Sequence, residues 1–379
     1  MSEQSSSGGR ILPLRPGGVG GPPSGGRRRK QPTKARRAWT VVAWVAAALV
    51  LVGGSGLGLL YFKLNGNLQG VDIETALGED RPKNVDNGSM DILVLGSDSR
   101  SGANSGYGDD DGAARSDTAM VVHVYQGRKT ASVVSVPRDT MVGRPDCTGR
   151  DGTDVPGDER AMFNSAYELG GPACAVKTVE AMSGIRMDHY IEVDFTGFKK
   201  LIDELGGVDI TTTQPINDSK SHLSLPPGTH SLDGEQALGL VRTRKSVGDG
   251  SDLGRIQLQQ AFMKAFIQQV KDVGVFSSPK KLLDLADAGT KAITPDSELD
   301  SVNELMGFAK GLSALGAEDV DMITMPVEYD PADPNRVVPV ETGARQVWTA
   351  LKQDRPIPAS AVRDSAGDKG DAATVVKSP

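Results

Sequence analysis

"TAMVVHVYQGRKTASVVSVP" occupies residues 118–137. It holds two short valine-rich runs, "TAMVVHVY" (118–125) and "TASVVSVP" (130–137), bounded by glycine, proline and charge. β-Branched side chains in runs of that length read as strands. Upstream, "DILVLG" (91–96) has the same texture. Downstream the pattern turns helical: "AMFNSAYELG" (161–170) and "CAVKTVEAMSG" (174–184) read as two helices, each stopped by glycine. "HYIEVD" (189–194) is a strand, "FTGFKKLIDELGG" (195–207) a helix with a glycine C-cap, and "VDI" (208–210) a further strand. Helices are expected over 251–272, 278–287 and 299–313, then a late strand in "VDMITMPV" (320–327) and a last helix in "ETGARQVWTALKQD" (341–354). This mixture suggests an α/β or α+β sandwich of one domain. No internal repeat is present.

Charge is distributed unevenly. The 379 residues carry a net charge of −7, yet residues 1–37 hold nine basic residues against Glu3 alone. An acidic remainder argues against nucleic acid as a partner. The basic arm is better explained by the next stretch: Ala38–Phe62 is 25 residues without a charge. At about 1.5 Å per residue such a helix crosses a hydrocarbon core of about 30 Å with some tilt. Arg27–Arg29, Lys30, Lys34, Arg36 and Arg37 precede it and only Lys63 follows closely. The positive-inside rule then predicts a single-pass anchor, its N-terminus cytoplasmic and the rest outside the cell membrane. A cleaved signal peptide is the alternative, but the run is long for one and no A-x-A-like site ends it. The expected organisation is a disordered basic arm (1–37), a transmembrane helix (38–62), a stalk (63–89), a domain over 90–357 and a disordered tail (358–379). Cys147 and Cys174 both fall in the outer portion, where one disulfide is the simplest reading.

Several chemistries are missing from the chain. There is no GxxxxGK[ST], no HExxH and no GxSxG. His123 and His189 lie in strand patterns and read as packing or surface residues. Arg/Asp pairs at strand ends are the positive signal: Asp98 and Arg100 in "GSDSR" (96–100), Arg115 and Asp117 in "RSDT" (115–118), Arg138 and Asp139 in "PRDT" (137–140). Each pair alone reads equally as a salt bridge or a turn. "LVRTRKSVGDGSDLGR" (240–255) adds Arg242, Arg244, Asp252 and Arg255. A solvated helix face is the bland interpretation of that run. If the preceding helix ends near Val241, however, Arg242 and Arg244 lie on extended chain and point the same way. Two guanidinium forks on one face suit a pyrophosphate. Arginines that neutralise an oligo-anion, with carboxylates holding a divalent cation against it, are the usual equipment of phosphoryl transfer.

Seven ordered stretches over about 91–272 closely resemble the LytR–CpsA–Psr family of cell-wall glycopolymer ligases, of the actinobacterial type. They are "DILVLGSDSR", "RSDTAMVVHV", "SVVSVPRDT", "FNSAYELGGP", "HYIEVDFTGFKKLIDELGGVDI", "GTHSLDGEQALGLVRTRK" and "DGSDLGRIQLQQ". The resemblance implies an extracytoplasmic α/β domain with a central mixed β-sheet flanked by helices and an apolar groove for a polyprenyl chain. It implies a phosphotransferase that moves a glycopolymer from a polyprenyl-pyrophosphate carrier to a peptidoglycan sugar hydroxyl, leaving a phosphodiester. By position, Asp98 and Asp117 match aspartates that bind Mg²⁺ (or Mn²⁺). Arg115, Arg138, Arg242, Arg244 and Arg255 match pyrophosphate-binding arginines, and Asp252 the acid of the same cluster. Asp98, Asp117, Arg138, Arg242, Arg244 and Asp252 are thus the expected catalytic set. The general base stays open. Leu258 stands where the family often has an arginine, which puts a secondary contact in doubt. A non-catalytic polyprenyl-phosphate-binding protein and a transcriptional attenuator are the competing readings.

Overall fold

The valine-rich runs form neighbouring strands. The structure, a computed structural model, describes residues 58–97, 116–149, 151–244, 252–274, 279–363, 365–368 and 376–377. Strands β1 (Met90–Ser97), β2 (Ser116–Val124) and β3 (Ala131–Val136) pair antiparallel in sequence order. After them come β4 (Met141–Arg144), β5 (Asp158–Met162), helix α1 (Phe163–Ser183) and β6 (His189–Asp194). Next are α2 (Phe195–Leu205), β7 (Val208–Thr212), β8 (Gly228–Leu232) and α3 (Gly234–Arg242). The chain continues through α4 (Asp252–Asp272), α5 (Pro279–Ala292), β9 (Ile293–Pro295) and α6 (Val302–Leu312). It then forms β10 (Val320–Thr324), β11 (Val327–Asp330), β12 (Asp333–Pro339) and α7 (Glu341–Lys352). The central sheet has the order β9–β6–β1–β2–β3–β10. β6 runs parallel to β1, β10 runs parallel to β3, and β9 runs antiparallel to β6, so the sheet is mixed.

Side-chain alternation explains why these strands read as nearly continuous apolar runs. Leu93, Leu95, Val121 and Val134 share one core with Phe163, Val176 and Val179 of α1 and Val347 and Leu351 of α7. Met90, Ile92, Met120 and Val133 point the other way, toward Ile267 of α4 and Phe308 and Leu312 of α6. A strand covered by helices on both faces needs apolar residues at every position. The fold is therefore α/β, with helices on both sides of a mixed sheet. A further core joins α2, α3, α4 and the β7–β8 pair, and Leu258 is completely buried in it.

The two helices expected over 161–184 are both present, abutting within α1: Gly171, with a φ of 64°, leaves helical geometry between them and Pro172 follows it. Other expectations change at the element scale. The stretch 63–89, expected as a stalk, lies against the domain. Leu64, Leu68, Ile73 and Leu77 are buried, Val71 bridges to Asp296, and Arg81 pairs with the buried Glu180 at 2.6 Å. The stretch 358–379, expected as a disordered tail, puts Ala361 and Ala366 into the core, and Val376–Lys377 pairs with β7. The basic arm (1–37) and most of the expected transmembrane helix (38–62) lie outside the described residues; residues 58–67 are helical. Among the described residues no helix is long and apolar enough to cross a membrane.

Cys147 and Cys174 form a disulfide that ties the segment between β4 and β5 to α1. Gly170 is required there, since a Cβ would sit 2.4 Å from that of Cys174.

Candidate functional site: an arginine cluster around Asp252

Strand directions gather the expected site. Because β2 runs against both neighbours, its first residues lie beside the last residues of β1 and β3. Ser97 pairs with Ser116, and Ala119 with Val136. The strands that lead into "GSDSR" and "PRDT" and the one that carries "RSDT" thus share one end of the sheet. The β1–β2 register slips there, from Gly96↔Thr118 to Ser97↔Ser116, which leaves Asp117 as the extra residue of a bulge. Bulges re-aim a side chain where a strand meets a site. Asp98, Arg100 and Arg115, and the side chain of Asp117, lie outside the described residues.

Arg138, Arg244, Asp252 and Arg255 come together at this end. Asp252 opens α4, where a carboxylate complements the helix dipole. Its Oδ1 lies 2.5 Å from Arg255 Nη2, 3.6 Å from Arg138 Nε and 3.7 Å from Arg244 Nη2. Burial pushes the Asp252 carboxyl above the usual range, against the pull of Arg255, Arg138 and Arg244. Neither oxygen has a well-aligned hydrogen bond among the described residues. Among the described residues, three guanidinium groups share Asp252, with Asp139 3.7 Å from Arg138 as a second carboxylate, so cations outnumber carboxylates. Arg255, only 2% exposed, serves Asp252 from inside. Arg138 and Arg244 are 20% and 37% exposed and present the surplus to solvent.

Arg242 is the last residue of α3, one position later than expected. Thr243 leaves the helix with extended backbone and is completely buried, while Arg242 and Arg244 on either side are partly exposed. The Arg242 guanidinium lies 5.4 Å from the centroid of the Phe195 ring, a cation–π contact that fixes its direction. The Arg244 amide donates to the buried Asp218 at 3.0 Å. The Thr243 hydroxyl donates to Gly239 O at 2.9 Å.

Residues not singled out in the sequence hold this arrangement. The side chain of buried Asn164, at the start of α1, accepts from the Ser116 amide at 3.1 Å, and its backbone amide donates to Arg138 O at 3.0 Å. One residue thus joins the start of β2 to the turn after β3. Gln259 donates to the Thr118 hydroxyl at 2.9 Å and to Val241 O at 3.0 Å, linking α4 to β2 and to the end of α3. Tyr167 donates to Glu192 at 2.7 Å and to Ser97 at 3.3 Å. A signal existed in part: Asn164 follows the apolar Ala161, Met162 and Phe163 and lies in the first turn of a helix. The glutamine and tyrosine carry no such mark.

A family model described as the LytR_cpsA_psr family matches residues 60–353. The chain belongs to that family. Cell wall biosynthesis protein LcpA of Corynebacterium glutamicum is 33% identical over 317 residues, covering 76% of this chain and 59% of LcpA. Polyisoprenyl-teichoic acid–peptidoglycan teichoic acid transferase TagT of Bacillus subtilis is 33% identical over 317 residues, covering 81% of this chain and 91% of TagT. A solved structure of TagT bound to LI-WTA matches with a TM-score of 0.54 and 28% identity, over 72% of this chain and 94% of that one. The LytR-Csp2A-Psr enzyme from Actinomyces oris, at 23% identity, shares the fold with a TM-score of 0.56, over 75% of this chain and 95% of that one. Phe198, Val241, Phe266 and Val270 are partly buried and pack against the core of α2, α3 and α4.

Proposed function

We propose that this chain transfers a glycopolymer from a polyprenyl-pyrophosphate carrier to a sugar hydroxyl of peptidoglycan. The arginine cluster around Asp252 is the observation that carries the reading, since guanidinium groups gathered on one site suit a pyrophosphate. Membership of a family whose relatives include a teichoic acid transferase supports it. The acceptor oxygen attacks the glycan-side phosphorus as the bond to the lipid-side phosphate breaks. Polyprenyl phosphate leaves, a phosphodiester remains, and the hydroxyl proton passes to a base. Arg138, Arg242 and Arg244 hold the pyrophosphate and neutralise charge on the departing phosphate, with Arg115 as a fourth cation. Arg255 keeps Asp252 in place, and Asp252 spaces the guanidinium groups.

Carboxylate chemistry and the register fit a divalent ion. Asp98 follows the last residue of β1, and Asp117 is the bulged residue of β2 beside it. These two would hold Mg²⁺ or Mn²⁺, which when bound supplies charge neutralisation at the pyrophosphate oxygens. The anchor at 38–62 keeps the domain at the outer membrane face, where lipid-linked donor and peptidoglycan meet. Full-length protein with a lipid-linked oligosaccharide, peptidoglycan fragments and Mg²⁺ should yield linked product by mass spectrometry. Donor that binds without being consumed would replace the ligase with a carrier-binding protein.

A further inference from the structure

Asp139 divides its carboxylate between two arginines. One oxygen lies 3.7 Å from Arg138 Nε, and the other accepts from Arg336 Nη1 at 3.4 Å. Arg336 belongs to β12, and its Nε also lies 3.8 Å from Asp333. Backbone contacts fix this approach: Thr140 bridges to Val337, and the Val337 amide donates to Asp139 O at 3.4 Å. Charges therefore alternate from Asp333 through Arg336, Asp139 and Arg138 to Asp252.

Among the described residues Arg138 faces two carboxylates, Asp252 and Asp139. Asp252 has Arg255 and Arg244 as further cations. Asp139 without Arg336 would draw fully on Arg138 and cancel the charge that an anionic ligand needs. We infer that Arg336, from the β11–β12 hairpin, is a positioning residue of the site: it neutralises Asp139 and so leaves the Arg138 guanidinium available to the pyrophosphate. The inference rests on the pyrophosphate reading and adds the β11–β12 hairpin to the machinery. A hairpin that only braced the fold would not care about the charge on Asp139, and this distinction makes a test.

The probe is geranyl pyrophosphate, titrated calorimetrically into the full-length chain with Mg²⁺ present. Partly exposed ion pairs are modest in strength, so Arg336→Gln should weaken binding about three- to tenfold. Arg336→Lys should stay near wild type, and Asp139→Asn should bind at least as tightly as wild type. The double variant Arg336→Gln/Asp139→Asn should recover wild-type affinity within about twofold. Melting curves separate a charge effect from loss of structure. Unchanged affinity in Arg336→Gln, or a double variant as weak as the single, overturns the inference while the pyrophosphate reading stands. No binding by the wild type overturns both.

Discussion

Arg242 and Arg244 show what a residue-level reading can and cannot reach. Their spacing was legible, because the apolar run of "SLDGEQALGLV" ends at Val241 and the helix ends one residue later, at Arg242. Changing either to Ala should lower transfer by about 100-fold or more, with the melting temperature nearly unchanged, since neither fills a core. Lysine should rescue little, because a point charge replaces a planar fork. Wild-type turnover in the double lysine variant would remove that argument. His123 was legible only as a strand residue. In the fold it lies buried at the far end of the sheet between two carboxylates, 2.7 Å from Asp91 and 3.1 Å from Asp354. Burial alone would lower its pKa, yet the bonds to Asp91 and Asp354 outweigh burial and raise it. A raised folded value means that the clamp stabilises fully below the unfolded pKa of about 6.5 and is lost as pH rises through the folded value. Melting temperature should therefore fall with rising pH in that window, and His123→Asn should flatten the dependence. Parallel wild-type and variant curves would contradict the clamp.

Elements were legible where their pattern was periodic and hidden where tertiary contact decided. β1, β2, β3, β6 and α4 follow their sequence patterns closely, because central strands and a long helix are set by burial of their own residues. The break within α1 was legible, because glycine and proline in sequence read as a stop and Gly171 takes non-helical backbone there. The packing of 63–89 was not, since its buried leucines are widely spaced among polar residues. Breaking the disulfide with Cys147→Ser and Cys174→Ser should cost about 3–4 kcal/mol, given a sequence separation of 27. Chemical denaturation checks it; equal midpoints would show that the bond constrains little. Close helix packing supplies another test. A Cβ on Gly197 of α2 would sit 2.2 Å from Ala292 Cα at the end of α5, so Gly197→Ala should destabilise by about 1–3 kcal/mol.

At the scale of the whole molecule, an antiparallel β2 between two ascending strands brings separated Arg/Asp motifs to one end of a sheet, next to the α3–α4 arginines. The motif order in the sequence implied that meeting, but not the residues that enforce it. Asn164, Gln259 and Arg336 act through contacts across 48, 141 and 197 positions, which no local pattern encodes. Binding of Mg²⁺ and of a polyprenyl pyrophosphate should be reciprocal, each tightening the other by the same factor. Calorimetry with equal lipid affinity in the presence and absence of Mg²⁺ would detach the metal from Asp98 and Asp117. The central claim is a phosphoryl transfer that breaks the bond between the glycan-side phosphorus and the bridging oxygen, so that the oxygen leaves with the lipid phosphate. The direct measurement is phosphorus NMR of a reaction between full-length protein, a polyprenyl-pyrophosphate glycan and peptidoglycan fragments. The account predicts that the donor's pyrophosphate signals disappear as phosphodiester and polyprenyl monophosphate appear in equimolar amounts. Persistent pyrophosphate signals, or release of intact polyprenyl pyrophosphate alongside a glycan joined without phosphorus, would contradict it.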